Sequence, residues 1–293
     1  MHTVLKSNST SVSIGSDKPF VVIGEKINPT GSKKLRLALL AGNLDLVVEF
    51  ASKQVAWGAA VLDVNVGQPG VNEAALMSQC VQAIISKVDI PLCIDSSDPA
   101  VLEAGLKAAP GKPLVNSVNA EPQQLNKILP VVKDRGAALI GLTIDENGIP
   151  KTAEGRASAA EKIINRSVAI GIPLEDIIID PLVLSVGADS QAARVTLQTI
   201  GLLIGQFGVN INLGASNVSY GLPDRATINA AFLALAMQAG ATCSITDPIK
   251  FGSQIRATDV LLGKDNYSVR YLQYYRVTEK LRNEETEKIN SKL

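Results

Sequence analysis

Short apolar runs rich in β-branched residues alternate along this chain with longer stretches whose apolar residues recur every three to four positions. That alternation predicts strands interleaved with amphipathic helices. Eight runs read as strands: residues 20–24, 61–66, 91–95, 114–117, 138–143, 177–180, 210–214 and 242–246. Helical periodicity lies between them at 43–57, 72–86, 99–108, 121–135, 153–170, 191–204 and 225–238, and again from about 258 to the end. In the first of these helices Leu46, Val47, Phe50 and Val55 form one buried stripe. Eight βα units in 293 residues predict an α/β protein, a TIM (β/α)8 barrel, with an extra C-terminal helical segment. The expected division is an N-terminal extension over 1–19 and a single barrel domain with a helical tail over 20–293. A doubly wound sheet is the runner-up, but the first turn, GEKINPTGSKK, carries neither GxGxxG nor a P-loop lysine motif.

The ends of the strands are more informative than their number. They carry Glu25, Asp63 to Asn65, Asp95, Asn116, Asp180 and, just beyond the seventh, Asn217. In a barrel these ends converge on one mouth, where active sites sit. A single polar residue there is adequately explained as a helix cap, whereas six at successive strand ends point to a polar ligand. Ionised carboxylates are acceptor-only groups, so together with amides they suit a flat heterocycle displaying N–H and NH2 groups. They also suit a divalent cation, as in a magnesium-dependent lyase, and both readings stand on these residues alone.

Composition narrows the chemistry. With 28 basic and 28 acidic side chains the chain is formally neutral, which speaks against nucleic-acid wrapping or a membrane surface as partner. Its one histidine, His2, falls in a segment expected to be a loose terminus, so histidine-based catalysis and histidine-ligated metals are not expected. The three cysteines, Cys80, Cys93 and Cys243, are far apart and match no disulfide framework or CxxC site. No apolar run reaches the ~18–20 residues of a spanning helix, and the polar start lacks a signal-peptide core, so a cytoplasmic location is expected. The segment 278–293 reads as a solvated helix with i,i+4 charge pairs, and the Tyr-rich stretch 271–275 as barrel packing, with a dimer contact as the alternative.

Seven segments occur in order at matching strand ends: GEKIN (24–28), LDVNVG (62–67), CIDSSD (93–98), NSVNAE (116–121), IGLT (140–143), IDPL (179–182) and GASNVS (214–219). Together they closely resemble the pterin-binding, corrinoid-dependent methyltransferase family. Its members include the methyltetrahydrofolate:corrinoid/iron–sulfur protein methyltransferase, the folate domain of methionine synthase and the folate-side methyltransferases of O-demethylase systems. The resemblance covers roughly residues 20–248 and favours the heterocycle over the cation.

The resemblance implies that Asp95, Asn116 and Asp180 hydrogen-bond a pterin ring, and that Asp63 and Glu25 belong to the same mouth. It places Asn217 near N5 of the folate, where an amide can donate or accept as N5 changes state. It also implies a role for Arg225 near the p-aminobenzoyl or glutamate tail, with pairing to Asp224 or Asp247 as the competing explanation. Tyr220 departs from the polar amide common in relatives. The expected reaction moves a methyl group between N5 of tetrahydrofolate (5-methyltetrahydrofolate when loaded) and the cobalt of a corrinoid. This chain has no DxHxxG corrinoid motif, so the corrinoid is expected on a separate corrinoid-binding protein, and a homodimer is expected by resemblance. The competing functions are a dihydropteroate synthase-like enzyme and a non-catalytic folate-binding protein. The former resembles a family that needs a basic pair after strand seven and a basic, His-containing end to strand eight; here those places read SNVS and SITDPIK, and at a site ending in Asp247 a pyrophosphate lacks compensating charge.

Overall fold

In the computed structural model, which describes residues 1–290, the alternation resolves into eight parallel strands wrapped by helices. The strands are β3 (Val21–Ile27), β4 (Val61–Asn65), β5 (Leu92–Asp95), β6 (Leu114–Asn119), β7 (Ala138–Leu142), β8 (Ile177–Asp180), β9 (Asn210–Ile211) and β10 (Cys243–Thr246). They lie side by side in chain order, with β10 beside β3. Between β9 and β10 the ring closes through Thr242 N to Ile211 O at 3.1 Å, Ile245 N to Leu213 O at 3.0 Å, and a lone bridge from Gly214 to Ile245. This is a TIM barrel. The helices are α1 (Lys33–Leu40), α2 (Asp45–Ala56), α3 (Glu73–Ile85), α4 (Pro99–Ala108), α5 (Pro122–Arg135), α6 (Ala153–Ala169), α7 (Ala192–Phe207), α8 (Arg225–Ala239), α9 (Pro248–Leu261) and α10 (Val269–Asn290). Among the described residues no helix is long and apolar enough to cross a membrane.

Alternation along each strand divides the core in two. Outward-facing Leu62, Val64, Ile94, Val115 and Ile179 pack with the helices, while Val21, Ile23, Val61, Cys93, Leu114, Ala138, Ile140, Ile178 and Cys243 fill the barrel interior. All three cysteines are buried and free. Burial pushes the Cys80 thiol up to about 12, so it is an inert core residue.

Several elements differ from their sequence-based expectation. The first strand runs on to Ile27, with a register irregularity between Gly24 and Ile27 that carries Glu25 and Lys26 to the mouth. Gly24 is required there: a Cβ would sit 2.6 Å from Gln54 Oε1, the atom that accepts the Lys26 amide at 2.9 Å. Helix α1 was not expected. It is short, starts on a Ser32 cap whose hydroxyl accepts Leu35 N at 3.2 Å, and buries only Leu35 and Leu39. Helix α9 begins at Pro248 rather than near 258, because Asp247 caps it and proline suits the first helical position. The seventh barrel strand is only two residues long, since its later residues turn into the loop that bears Asn217.

The N-terminal segment is no loose terminus. Strands β1 (His2–Lys6) and β2 (Ser11–Gly15) form an antiparallel hairpin. Leu5 and Ile14 are fully buried with the interior residues of the barrel, so the hairpin plugs the end opposite the mouth. Asn210 Nδ2 secures it by donating to Ile14 O at 3.1 Å and Thr3 Oγ1 at 3.0 Å. Lys6 and Lys112 exchange backbone hydrogen bonds of 3.0 and 2.9 Å. His2 lies on the hairpin's outer side beside Asp17, remote from the strand ends that bear the polar mouth. Leu5→Ala is therefore expected to destabilise the fold by about 2–5 kcal/mol, read by urea unfolding, while leaving ligand affinity unchanged in the folded protein.

At the other terminus, Tyr274 of α10 packs on Gly58 and Gly252, and its ring lies 5.9 Å from the Arg256 guanidinium. Asp259 accepts Phe20 N at 3.0 Å and Arg256 donates to Phe20 O at 3.3 Å, tying α9 to the first barrel strand. The Tyr-rich stretch thus packs on the barrel through Tyr274, while Tyr275 is exposed. Lys280 and Glu284 form an i,i+4 pair at 4.0 Å; residues 291–293 of the expected charged helix lie outside the described residues.

Candidate functional site

Continuing the inward-facing positions toward the strand ends changes their chemistry abruptly. Above the apolar interior the next inward positions are Glu25, Asp63, Asp95, Asn116, Asp180 and Asn212. An apolar period interrupted by acids and amides at the ends of six of the eight strands, with Leu142 and Ile245 on the other two, builds a polar floor under the mouth. Above it lies a cavity of about 700 Å³, lined among others by Glu25, Phe50, Asp63, Asp95, Asn116 and Asn217. A neighbouring cavity of about 380 Å³ shares Asp95 and Asn116 and adds Asn65 and Ser117.

The floor is internally hydrogen-bonded. Asn116 Nδ2 donates to Asp63 Oδ1 at 3.1 Å, and Asn65 Nδ2 donates to Asp95 Oδ2 at 2.9 Å. Asp63 is almost fully buried, and burial, then the adjacent Asp95 carboxylate, holds its carboxyl well above the usual range. Burial also raises Asp95, opposed by its hydrogen bond from Asn65. Asp63 thus holds Asn116 while still lining the cavity, and Asp95 is the more open of the two.

Asp180 sits deeper and is not part of the cavity lining. Its carboxylate accepts Asn212 Nδ2 at 2.8 Å and Leu182 N at 2.8 Å. Behind it the buried Arg156 donates to Pro181 O and Leu182 O, each at 2.9 Å, pinning the turn that follows β8. Burial pushes the Asp180 carboxyl up to about 6, the hydrogen bonds only partly offsetting it. A raised carboxyl means the folded state holds its proton longer than the unfolded chain does, so this group loses stability as pH rises from about 4 to about 6. Asp180→Asn is expected to abolish that component. Its stability relative to wild type should improve across the interval by on the order of 1–3 kcal/mol, measured by thermal unfolding at a series of pH values.

Opposite the acids stands Asn217, on the 3-10 turn 215–219 after β9. Its side chain is exposed and, among the described residues, makes no side-chain hydrogen bond. Gly214 leaves it room, since a Cβ there would lie 3.3 Å from Asn217 Nδ2. Arg225 holds this turn from behind: Nη2 donates to Ser216 O at 2.7 Å and Nε to Ser219 Oγ at 3.1 Å. It pairs with neither Asp224 nor Asp247, and it stands outside the lining of the larger cavity. The guanidinium lies 5.8 Å from the ring of Tyr220, which lines the rim and is 71% exposed.

Lys26, within the GEKIN segment, was not among the expected site residues. Its Nζ meets Asp247 Oδ2 at 2.8 Å and Glu25 Oε1 at 3.9 Å. Asn212 was likewise missed, although the inward period from Asn210 passes through it. Among the described residues, no group of three or more His, Cys, Asp or Glu is arranged to hold a metal ion.

With this geometry in hand, the similarity to known proteins is specific. Residues 24–247 match the family of pterin binding enzymes. The chain is 32% identical over 254 residues to methionine synthase of Mycobacterium tuberculosis, a match spanning 82% of this chain but only 21% of that much longer protein. It is 28% identical over 261 residues to the methylcorrinoid:tetrahydrofolate methyltransferase of Eubacterium limosum, covering 87% of this chain and 96% of the relative. Among solved structures, dihydropteroate synthase of Yersinia pestis in complex with a pterine–sulfa conjugate superposes with a TM-score of 0.67 at 18% identity, over 90% of this chain and all of that one. A second Yersinia pestis dihydropteroate synthase, with a sulfonamide drug, gives 0.70 at 19% identity, over 90% of this chain and 99% of that one. At such identity these two establish the shared barrel.

Proposed function

This chain belongs to the pterin-binding enzyme family, and from that premise we propose that it transfers a methyl group between N5 of tetrahydrofolate and the cobalt of a corrinoid carried by a separate protein. The observation that carries the reading is the division of one cavity: carboxylates and amides on one side, a free amide, Asn217, on the other. A pterin presents its 2-amino and ring N–H donors along one edge and N5 on the far ring. Asp95 and Asn116 take the donor edge, and Asp180 completes the acceptor set from the inner face of β8. Acids crowded together on the floor are raised by burial, and a ligand that donates hydrogen bonds relieves that cost. The fit therefore runs from the acceptor-rich floor to the apolar contributions of Phe50 and Ile245 on the wall.

Asn217 then meets N5. A better leaving group is needed when the methyl departs from N5, and a free lone pair when it arrives. An amide hydrogen-bonds either form, donating through Nδ2 or accepting through Oδ1. The cobalt supplies the nucleophile or the leaving group, so the chain's own work is to position the folate in line and tune N5. The Eubacterium limosum relative, named for this kind of transfer and matched over nearly its whole length, supports the reading. Arg225 acts from behind the Asn217 turn and fixes its angle of approach.

Dihydropteroate synthesis is the second reading, favoured by the shared barrel. The electrostatics of this mouth oppose it. Asp247 follows β10, Lys26 is committed to Asp247, and Glu25 stands beside them with Lys250, so the acids already engage the nearby cations and no surplus of positive charge is left for a pyrophosphate leaving group. Parallel assays separate the two. Pyrophosphate release from a hydroxymethylpterin diphosphate with p-aminobenzoate is expected to be absent, and methyl exchange between folate and cobalamin present; the opposite pattern overturns the proposal.

A further inference from the structure

Methyl departure from N5 needs a proton delivered there, and methyl arrival at N5 of tetrahydrofolate must release one. Asn217 hydrogen-bonds N5 in both states but can neither supply nor keep that proton. Three of the four carboxyls in the floor are held by amides: Asp63 by Asn116, Asp95 by Asn65, and Asp180 by Asn212 and the Leu182 amide. Glu25 is different. It lines the same cavity as Asn217, and its Oε2 accepts the hydroxyl of Ser216, the residue preceding Asn217, at 3.3 Å.

The charges around Glu25 leave it free to exchange a proton. Lys26, on its own strand, stands 3.9 Å away but is drawn to Asp247 at 2.8 Å. From the start of α9 it faces Asp247 and Lys250, and from β4 it faces Asp63. Burial raises its carboxyl, opposed by Lys26 and reinforced by Asp247.

We propose that Glu25 is a catalytic residue, the acid and base that exchanges a proton with N5, its carboxyl aimed by Ser216. This rests on the methyl-transfer reading above. In the outward direction the Glu25 carboxyl gives its proton to N5 while the N5–CH3 bond breaks and the Co(I) electron pair forms the Co–CH3 bond. Tetrahydrofolate leaves with N5–H, and solvent reprotonates the carboxylate. In the reverse direction the N5 lone pair takes the methyl, the Co–CH3 electron pair returns to cobalt as Co(I), and the Glu25 carboxylate accepts the N5 proton.

The test uses the full chain with methyltetrahydrofolate and free cob(I)alamin, following cobalt's visible absorption across pH, with tetrahydrofolate binding measured by calorimetry. In wild type the rate falls as pH rises through the Glu25 carboxyl. Glu25→Gln is expected to lower the rate by about 100-fold, to lose that pH dependence, and to bind tetrahydrofolate within about threefold of wild type. A Glu25→Gln enzyme with wild-type rate and pH profile overturns the proposal. Should Glu25→Gln lose folate binding, Glu25→Asp decides: a slower enzyme that keeps the pH-dependent limb supports the assignment, and one without the limb refutes it. A wild-type protein that transfers no methyl group counts against the methyl-transfer reading instead, so the two failures are distinct.

Discussion

Asn217→Ala is expected to slow methyl transfer by about 100- to 1,000-fold in both directions while tetrahydrofolate affinity stays within about threefold, the range found when one preorganised donor to a reacting atom is removed. The asymmetry between rate and affinity follows from the site. In the proposed complex the donor edge of the pterin meets the acid floor, which would supply binding, whereas Asn217 would meet the atom whose charge changes. Its amide is unspent on other side chains and carries no structural duty that its loss would expose. The turn itself is held by Arg225 through Ser216 O and Ser219 Oγ, contacts that the substitution leaves intact. Calorimetric affinity together with single-turnover spectroscopy measures both quantities. A drop in affinity equal to the drop in rate would move Asn217 from catalysis to binding, and an unchanged rate would make it a rim residue of a folate-binding protein.

Asp95→Ala is expected to act the other way, weakening tetrahydrofolate binding by about 100-fold or more. Each charge-assisted hydrogen bond lost is worth about 1.5–3 kcal/mol, and an unpaired donor on the ligand adds its desolvation cost. Asp95 suits this experiment better than Asp63 or Asp180. It is the acid shared by both cavities, its second oxygen is free of the Asn65 contact, and it is less buried than either neighbour. Truncating Asp63 instead releases Asn116, so its effect mixes binding with local rearrangement. Rate at saturating folate should fall far less than affinity in Asp95→Ala, the mirror image of Asn217→Ala.

Much of the site was legible because a strand broadcasts its inward face every second residue. Asp63, Asp95, Asn116 and Asp180 appear where that face should stay apolar, so their convergence is written in the sequence itself. Partnerships across the ring were not legible. Lys26 and Asp247 meet only because β10 lies beside β3, and Asn212 reaches Asp180 only through the register of β8 and β9. Arg225 was expected to face the ligand tail or a nearby aspartate. Its actual partners, a backbone carbonyl and a serine hydroxyl, depend on a tight turn that no periodicity announces. The hairpin plug hid for a related reason. Its two five-residue strands alternate too briefly to stand out from a polar terminus, and their burial comes entirely from the barrel they close.

Methyl transfer between folate and cobalt at this mouth, as proposed, is read from the visible spectrum of the cobalt itself. Mixing the protein with methyl–Co(III) corrinoid and tetrahydrofolate should produce the Co(I) spectrum. Mixing it with Co(I) corrinoid and methyltetrahydrofolate should produce the methyl–Co(III) spectrum. Both conversions are expected, with free cobalamin and with a corrinoid carrier protein. Tetrahydrofolate that binds tightly while the cobalt spectrum stays unchanged in both mixtures, with several carriers, would contradict the proposal.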